Sequence, residues 1–203
     1  MIEAVVFDLW YTLAQKERGT SSVLRGHFDI PDSPTFMAEY ETAIQLQEWA
    51  SVTEMAQSFL QAFKLGVTPA NVSFFTTAII EGAQGAKPYD WVPEVLHGLS
   101  ENYKLALLSN TSTYEVIDPS WGIADYFNEV VYSWEAEAIK PSAKSFQAVC
   151  SRLGVPPKKC LFVDDCLANI EAAREFGMKA VHFKGFDGGD VLKKELKKYD
   201  VYL

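Results

Sequence analysis

Short apolar runs alternate with amphipathic stretches at both ends of the chain, and this alternation is missing from its second quarter. Ala4-Val5-Val6-Phe7 is continuously apolar and stops at Asp8. Such a run predicts a strand buried on both faces. From about Ala14 to Lys87 no strand pattern follows. Apolar residues there recur at helical spacing, which predicts helices over Thr35–Glu48, Thr53–Leu65 and Pro69–Glu81. Thr53 and Thr68 stand where N-caps belong, and Gly66 and Gly82 where helices stop. Pro69 suits a first helical turn.

Alternation resumes near Pro88. The pattern predicts a helix over Trp91–Ser100, a strand over Lys104–Ser109, a short helix near Thr113–Ile117 and a strand over Glu129–Ser133. It continues with helix Ser142–Leu153, strand Cys160–Asp164, helix Ala168–Phe176, strand Ala180–Phe183 and a last helix over Asp190–Tyr199. Short apolar strands alternating with helices predict a doubly wound parallel α/β sheet. The interruption predicts an all-helical insertion: residues 1–13 and 88–203 form the core, and residues 14–87 the insert. Sheets of this kind carry their sites at the carboxyl ends of the strands. Asp8, Ser109 and Asp165 all fall at such ends.

Composition narrows the possible functions. The chain has 203 residues, 48% of them hydrophobic, which is enough for a sizeable core. A net charge of −9 argues against nucleic acid as a partner, since that needs a basic face. The one basic run, Lys193 to Lys198, reads as the solvated side of a helix. No apolar stretch approaches the roughly 18 residues of a membrane span. The N-terminus shows no basic, apolar, small-residue progression, so no secretory signal is expected. Cys150, Cys160 and Cys166 are odd in number and lack Cys-x-x-Cys spacing, which predicts reduced thiols in a cytoplasm. Cys166 is expected to pack, and His27, His97 and His182 are not expected to be ligands. The aromatic and apolar residues Phe36, Met37, Trp49, Phe59, Phe63, Phe74 and Phe75 read as the core of the insert.

Four motifs stand in order along this framework: Phe7-Asp8-Leu9-Trp10-Tyr11-Thr12-Leu13, Leu107-Leu108-Ser109-Asn110, Lys140-Pro141, and Phe162-Val163-Asp164-Asp165 followed by Asn169. Together they resemble the haloacid dehalogenase-like hydrolase superfamily, with the helical insert resembling its cap. The resemblance implies a Rossmann-like core and a nucleophile at Asp8 that takes up a phosphoryl group. It implies Mg2+ held by Asp8, Asp165, Asp164 and the backbone carbonyl of Trp10. Ser109 and Lys140 would act at the phosphate, Asn110, Trp10 and Thr12 would lie against the substrate, and Asn169 would support the acidic loop. The implied substrate is a small phosphorylated metabolite, and a homo-oligomer is possible.

One position departs from the pattern. The superfamily's phosphatases carry an aspartate at the place of Trp10 as general acid and base, and an indole is only a hydrogen-bond donor. Tyr11 replaces the usual glycine. Three readings follow. The first is a magnesium-dependent phosphatase or phosphotransferase favouring good leaving groups. The second is a 2-haloacid dehalogenase-like hydrolase without metal, since those enzymes carry an aromatic residue at this position. The third is a catalytically weak binding or regulatory protein. Against the second, neither Arg18 nor Arg25 stands convincingly where a clamp for the substrate carboxylate belongs, and Asp164 and Asp165 crowd Asp8.

Overall fold

The computed structural model describes residues 1–203. Five parallel strands make the central sheet: β1 (Ala4–Phe7), β4 (Lys104–Ser109), β5 (Glu129–Tyr132), β6 (Cys160–Asp164) and β7 (Lys179–His182), in the order β5-β4-β1-β6-β7. The alternating side chains of the central strands bury two faces. Val5, Phe7, Leu105, Leu107, Leu161 and Val163 pack on one side with α5 (Val92–Ser100) and α9 (Gly189–Lys197). Ala4, Val6, Ala106, Leu108 and Phe162 pack on the other with α7 (Ala143–Leu153), which follows the one-turn α6 (Ser133–Ala136), and with α8 (Leu167–Glu175). This is the doubly wound α/β arrangement expected from the sequence.

Register sets the position of the site. Phe7 of β1 pairs with Leu107 of β4 and Val163 of β6. Asp8, Ser109 and Asp164 therefore emerge at one edge, at the strand where the winding reverses direction. An open parallel sheet forms its crevice there.

Between β1 and β4 lie α1 (Thr20–His27), α2 (Phe36–Ile44), α3 (Val52–Ala62) and α4 (Pro69–Gln84). Their apolar faces bury a separate cluster that includes Leu24, Phe36, Tyr40, Ile44, Phe59 and Phe75. Trp49, Phe63 and Phe74 pack around it, whereas Met37 is exposed. The chain enters this helical layer through β2 (Ala14–Gln15) and leaves through β3 (Lys87–Pro88). The two segments pair antiparallel, Ala14 opposite Pro88 and Gln15 opposite Lys87. Two-residue strands have no periodicity to detect, so the sequence did not announce this ladder.

Several helix boundaries differ from expectation for identifiable reasons. Ser51, not Thr53, caps α3, its side chain accepting from the Glu54 amide at 3.2 Å. Lys64 takes the left-handed turn after α3, at φ 55°, so Gly66 is not the stop. Gly82 lies inside α4 and not at its end. A Cβ there would stand 2.6 Å from the Thr20 hydroxyl, so the glycine lets α1 approach α4. The short helix expected at Thr113–Ile117 is a turn instead. Its backbone is drawn in by Thr111 Oγ1 donating to the Glu115 carbonyl at 2.9 Å. Short 3-10 turns at Pro119–Trp121 and Ala124–Tyr126 follow.

A second glycine fixes the loop that follows Asp8. The Gly185 amide donates to the Tyr11 carbonyl at 2.7 Å, and its own carbonyl accepts from Trp91 Nε1 at 2.9 Å. A Cβ at Gly185 would stand 2.0 Å from Tyr89 Cε2 and 2.6 Å from the Thr12 carbonyl oxygen. Gly185→Ala is expected to destabilise the fold by about 1–3 kcal/mol, read by denaturant unfolding. A variant as stable as the parent would contradict this contact.

Candidate active site

Asp8 stands just past β1, its amide donating to the Val163 carbonyl at 2.9 Å, and its side chain is buried. Lys140 reaches it from the loop before α7. The Lys140 ammonium donates to Asp8 Oδ1 at 2.6 Å and to Asp164 Oδ2 at 2.8 Å, and it is only 3% exposed. Asn110, just past β4, holds this lysine by its backbone: Asn110 Nδ2 donates to the Lys140 carbonyl at 3.0 Å, and Asn110 Oδ1 accepts from the Lys140 amide at 2.8 Å. The Asn110 side chain is thus committed to positioning Lys140.

Asp164 is fully buried and saturated with donors. Its Oδ1 accepts from the Cys166 amide at 2.7 Å and its Oδ2 from Lys140, while Asn169 Nδ2 lies 3.2 and 3.1 Å from the two oxygens. Asp165 is half-buried, and its backbone carbonyl bonds His182 Nε2 at 2.8 Å. Carboxylate oxygens of Asp8, Asp164 and Asp165 lie within 4.8 Å of one another. An octahedral hard cation with bonds of ~2.1 Å spans roughly 4.2 Å between opposite oxygens. The all-oxygen donor set and this spacing fit such an ion with small adjustment.

Burial and mutual repulsion dominate the electrostatics. Burial pushes the Asp8 carboxyl up to about 7; Lys140 opposes the shift, and Asp164 and Asp165 add to it. Burial, then Asp164, push Asp165 up to about 6. For Lys140 burial works against the charge, but Asp164 and Asp8 outweigh it and hold the ammonium above its usual range. Three carboxylates with one lysine leave an excess of negative charge, which a divalent cation would offset.

Trp10 lines the cavity but is tied back. Its Nε1 donates to Thr111 Oγ1 at 3.2 Å, and its ring meets Trp121 edge-on with centroids 6.4 Å apart. The Lys16 ammonium sits 3.9 Å from the ring centroid. Tyr11 adopts the left-handed conformation at φ 62°, which a glycine would take without strain. Ser109 and Thr12 are fully buried, and their hydroxyls have no hydrogen-bond partner in the protein. Neither lines the cavity itself. Buried orphan hydroxyls are uncommon in native folds.

Above these residues is a cavity of about 660 Å³ roofed by α1 and α2. No motif in the sequence marks its roof. Lys16, Tyr40, Glu41, Gln45 and Glu115 line it, and so does Cys166, which is exposed to the cavity and not packed as expected. Glu41 on α2 and Gln45, the residue that caps its C-terminal end, lie four residues apart. Glu39 and Thr42 are also polar in this helix, so its sequence does not single out these two positions. Burial raises the Glu41 carboxyl; the neighbouring Asn110 side chain and Lys140 work the other way. Glu115 is buried among the Lys16 ammonium, Thr20 Oγ1 at 2.7 Å and Ser112 Oγ at 3.0 Å.

The haloacid dehalogenase-like hydrolase family model matches residues 2–177. Among curated relatives, a phosphoglycolate phosphatase of Haemophilus influenzae is 33% identical over 96 residues, covering 46% of this chain and 43% of the relative. The chain thus spans less than half the length of that relative. A glyceraldehyde 3-phosphate phosphatase of Methanopyrus kandleri is 28% identical over 91% of this chain and 84% of its own. A HAD family enzyme of Bacteroides thetaiotaomicron, solved with magnesium and inorganic phosphate, superposes with a TM-score of 0.67 at 19% identity over 95% of this chain and 99% of its own. A 2-haloacid dehalogenase of Pseudomonas syringae pv. Tomato gives 0.64 at 19% identity over 93% and 89%. The two structural likenesses show the fold; the family match, over most of the sequence, shows that this chain belongs to the haloacid dehalogenase-like hydrolases.

Proposed function

We propose that this chain is a magnesium-dependent phosphohydrolase acting through a phosphorylated Asp8, with residues 14–87 as a cap over the core formed by residues 1–13 and 88–203. The observation that carries this reading is the buried convergence of Asp8, Asp164 and Asp165 around Lys140 at the floor of the cavity. Phosphatase relatives support phosphate-ester hydrolysis. Asp8, Asp165 and the backbone carbonyl of Trp10 would hold the magnesium ion. Both Asp164 oxygens already accept protein hydrogen bonds, so Asp164 organises the loop and only secondarily offers a ligand. When bound, the ion would neutralise the phosphoryl oxygens against Asp8.

An Asp8 oxygen would attack phosphorus while the bond to the leaving oxygen breaks. Lys140 favours the ionised form of Asp8, against burial, and orients its carboxylate. Ser109 and Thr12 lie beneath the cavity lining, where their unpartnered hydroxyls would donate to the loop that carries the phosphoryl group. Water then attacks phosphorus, releasing inorganic phosphate and restoring the Asp8 carboxylate. Trp10 supplies no proton to the leaving group, so acyl and aryl phosphates, which leave as stable anions, should react fastest.

A second reading has one observation in its favour: the aromatic side chain at position 10, together with fold likeness to 2-haloacid dehalogenases. Three clustered carboxylates weigh against it, since a haloacid brings another. So does the absence of arginine from the cavity lining: Arg25 pairs with Asp32 and Arg18 is exposed. Assays separate the readings. Magnesium-dependent phosphate release from acetyl or p-nitrophenyl phosphate supports the first. Chloride release from 2-chloropropionate in chelator selects the second. Neither activity, with retained magnesium binding, selects a binding or regulatory role.

Protons should compete with the ion. Asp8 and Asp165, at about 7 and about 6, hold protons below those values and must release them to coordinate. Magnesium affinity is therefore expected to weaken at least about tenfold as pH falls from about 8 to about 5, measured by titration calorimetry. Affinity independent of pH would contradict the assignment of these carboxylates.

A further inference from the structure

The cavity has a charge inventory that bears on the part of the ligand beyond the phosphate. Its only basic lining residues are Lys16 and Lys140. Lys140 is committed to Asp8 and Asp164, and Lys16 to the buried carboxylate of Glu115. No arginine lines the cavity. Glu41 forms no salt bridge, and it faces the space between the floor and α2. Gln45, the C-cap of α2, is only 6% exposed, and its side-chain Oε1 has no hydrogen-bond donor. A buried amide oxygen without a donor is costly unless a ligand supplies one.

We propose that Glu41 and Gln45 form a subsite for the non-phosphate end of the substrate. The cavity thereby selects phosphate monoesters whose tail carries hydrogen-bond donors, hydroxyl or ammonium, and no second anionic group. The inference relies on the preceding reading only for the phosphate end of the ligand. All the cationic charge near the floor is engaged by Asp8, Asp164, Asp165 and the phosphate. A tail carboxylate would meet Glu41 with no counter-ion to receive it, and burying an unpaired charge is strongly unfavourable. A hydroxyl in the same place donates to Glu41 or to Gln45 Oε1 and satisfies an orphan acceptor. Rejection of an analogue by an unpaired polar group is the stronger form of specificity. On this account phosphoglycolate, the substrate named for one relative, would be excluded here.

Glycerol 3-phosphate and 3-phosphoglycerate are matched probes. They differ only by a terminal CH2OH in place of a carboxylate. Titration calorimetry of the intact protein with magnesium is expected to show glycerol 3-phosphate bound at least about tenfold more tightly. Glu41→Gln should bring the two affinities to within about threefold, and Glu41→Lys should reverse their order. Gln45→Leu should weaken glycerol 3-phosphate without improving 3-phosphoglycerate. The proposal is overturned if 3-phosphoglycerate binds the parent as tightly or more so, if Glu41→Gln leaves the ratio unchanged, or if neither probe binds. A parent that shows the preference yet releases no phosphate from acetyl or p-nitrophenyl phosphate would remove the catalytic reading and leave the subsite standing. A parent that hydrolyses them without the preference would do the opposite.

Discussion

Asp8→Asn is expected to abolish magnesium-dependent phosphate release, by at least about 10³-fold in kcat on acetyl and p-nitrophenyl phosphate. The substitution nearly preserves shape, and its amide oxygen can still accept from Lys140, so the fold should survive. It removes the one group at the end of β1 able to bond phosphorus. The neighbouring carboxylates cannot take its place. Asp164 is saturated by Lys140, Asn169 and the Cys166 amide, and Asp165 is needed for the ion. The variant should also bind magnesium more weakly, because one anionic ligand has become neutral. Circular dichroism and unfolding curves establish that the comparison is between folded proteins. Residual activity above about a tenth of the parent would show that the chemistry runs elsewhere.

Trp10→Asp is the converse, a gain. The indole bonds Thr111, packs on Trp121 and lies beneath the Lys16 ammonium, so it neither donates a proton to a leaving group nor activates water. A carboxyl on the same loop restores that capacity, and general acid-base catalysis is typically worth about 10²–10⁴ in rate. The gain should appear on alkyl phosphates, whose leaving oxygen needs a proton, and be small on acetyl phosphate, whose leaving group does not. Some stability should be lost with the ring's packing against Trp121. A folded, magnesium-binding variant no faster on alkyl phosphates would contradict this account of position 10.

The core of the fold was legible because continuous apolar strands and amphipathic helices have periods that survive in sequence. Lys104–Ser109 and Cys160–Asp164 match residue for residue. What escaped had no period or was set by distant partners. Helix α1 is only eight residues long and buries only Thr20 and Leu24, so few apolar positions mark it in the sequence. Gly82 looks like a helix end because its reason for being glycine, the Thr20 hydroxyl, lies in another helix. At the floor of the site, Asp8, Lys140, Asp164, Asp165 and Asn169 were nameable from motifs, and the structure brings them together. Asn110 stands with them as a clamp on the Lys140 backbone through its side chain, a role its motif did not disclose. The roof was not nameable: Glu41 and Gln45 matter because they line the same cavity as Asp8, and no local pattern carries that placement.

The most direct test of the central claim is a crystal structure of the protein with magnesium and tetrafluoroberyllate, a mimic of the bound phosphoryl group. We expect beryllium bonded to an Asp8 carboxylate oxygen, a magnesium ion touching Asp8, Asp165 and the Trp10 carbonyl, and fluorine within reach of Lys140. An unmodified Asp8 with no cation among the three carboxylates, under conditions that load a known family phosphatase, would contradict it.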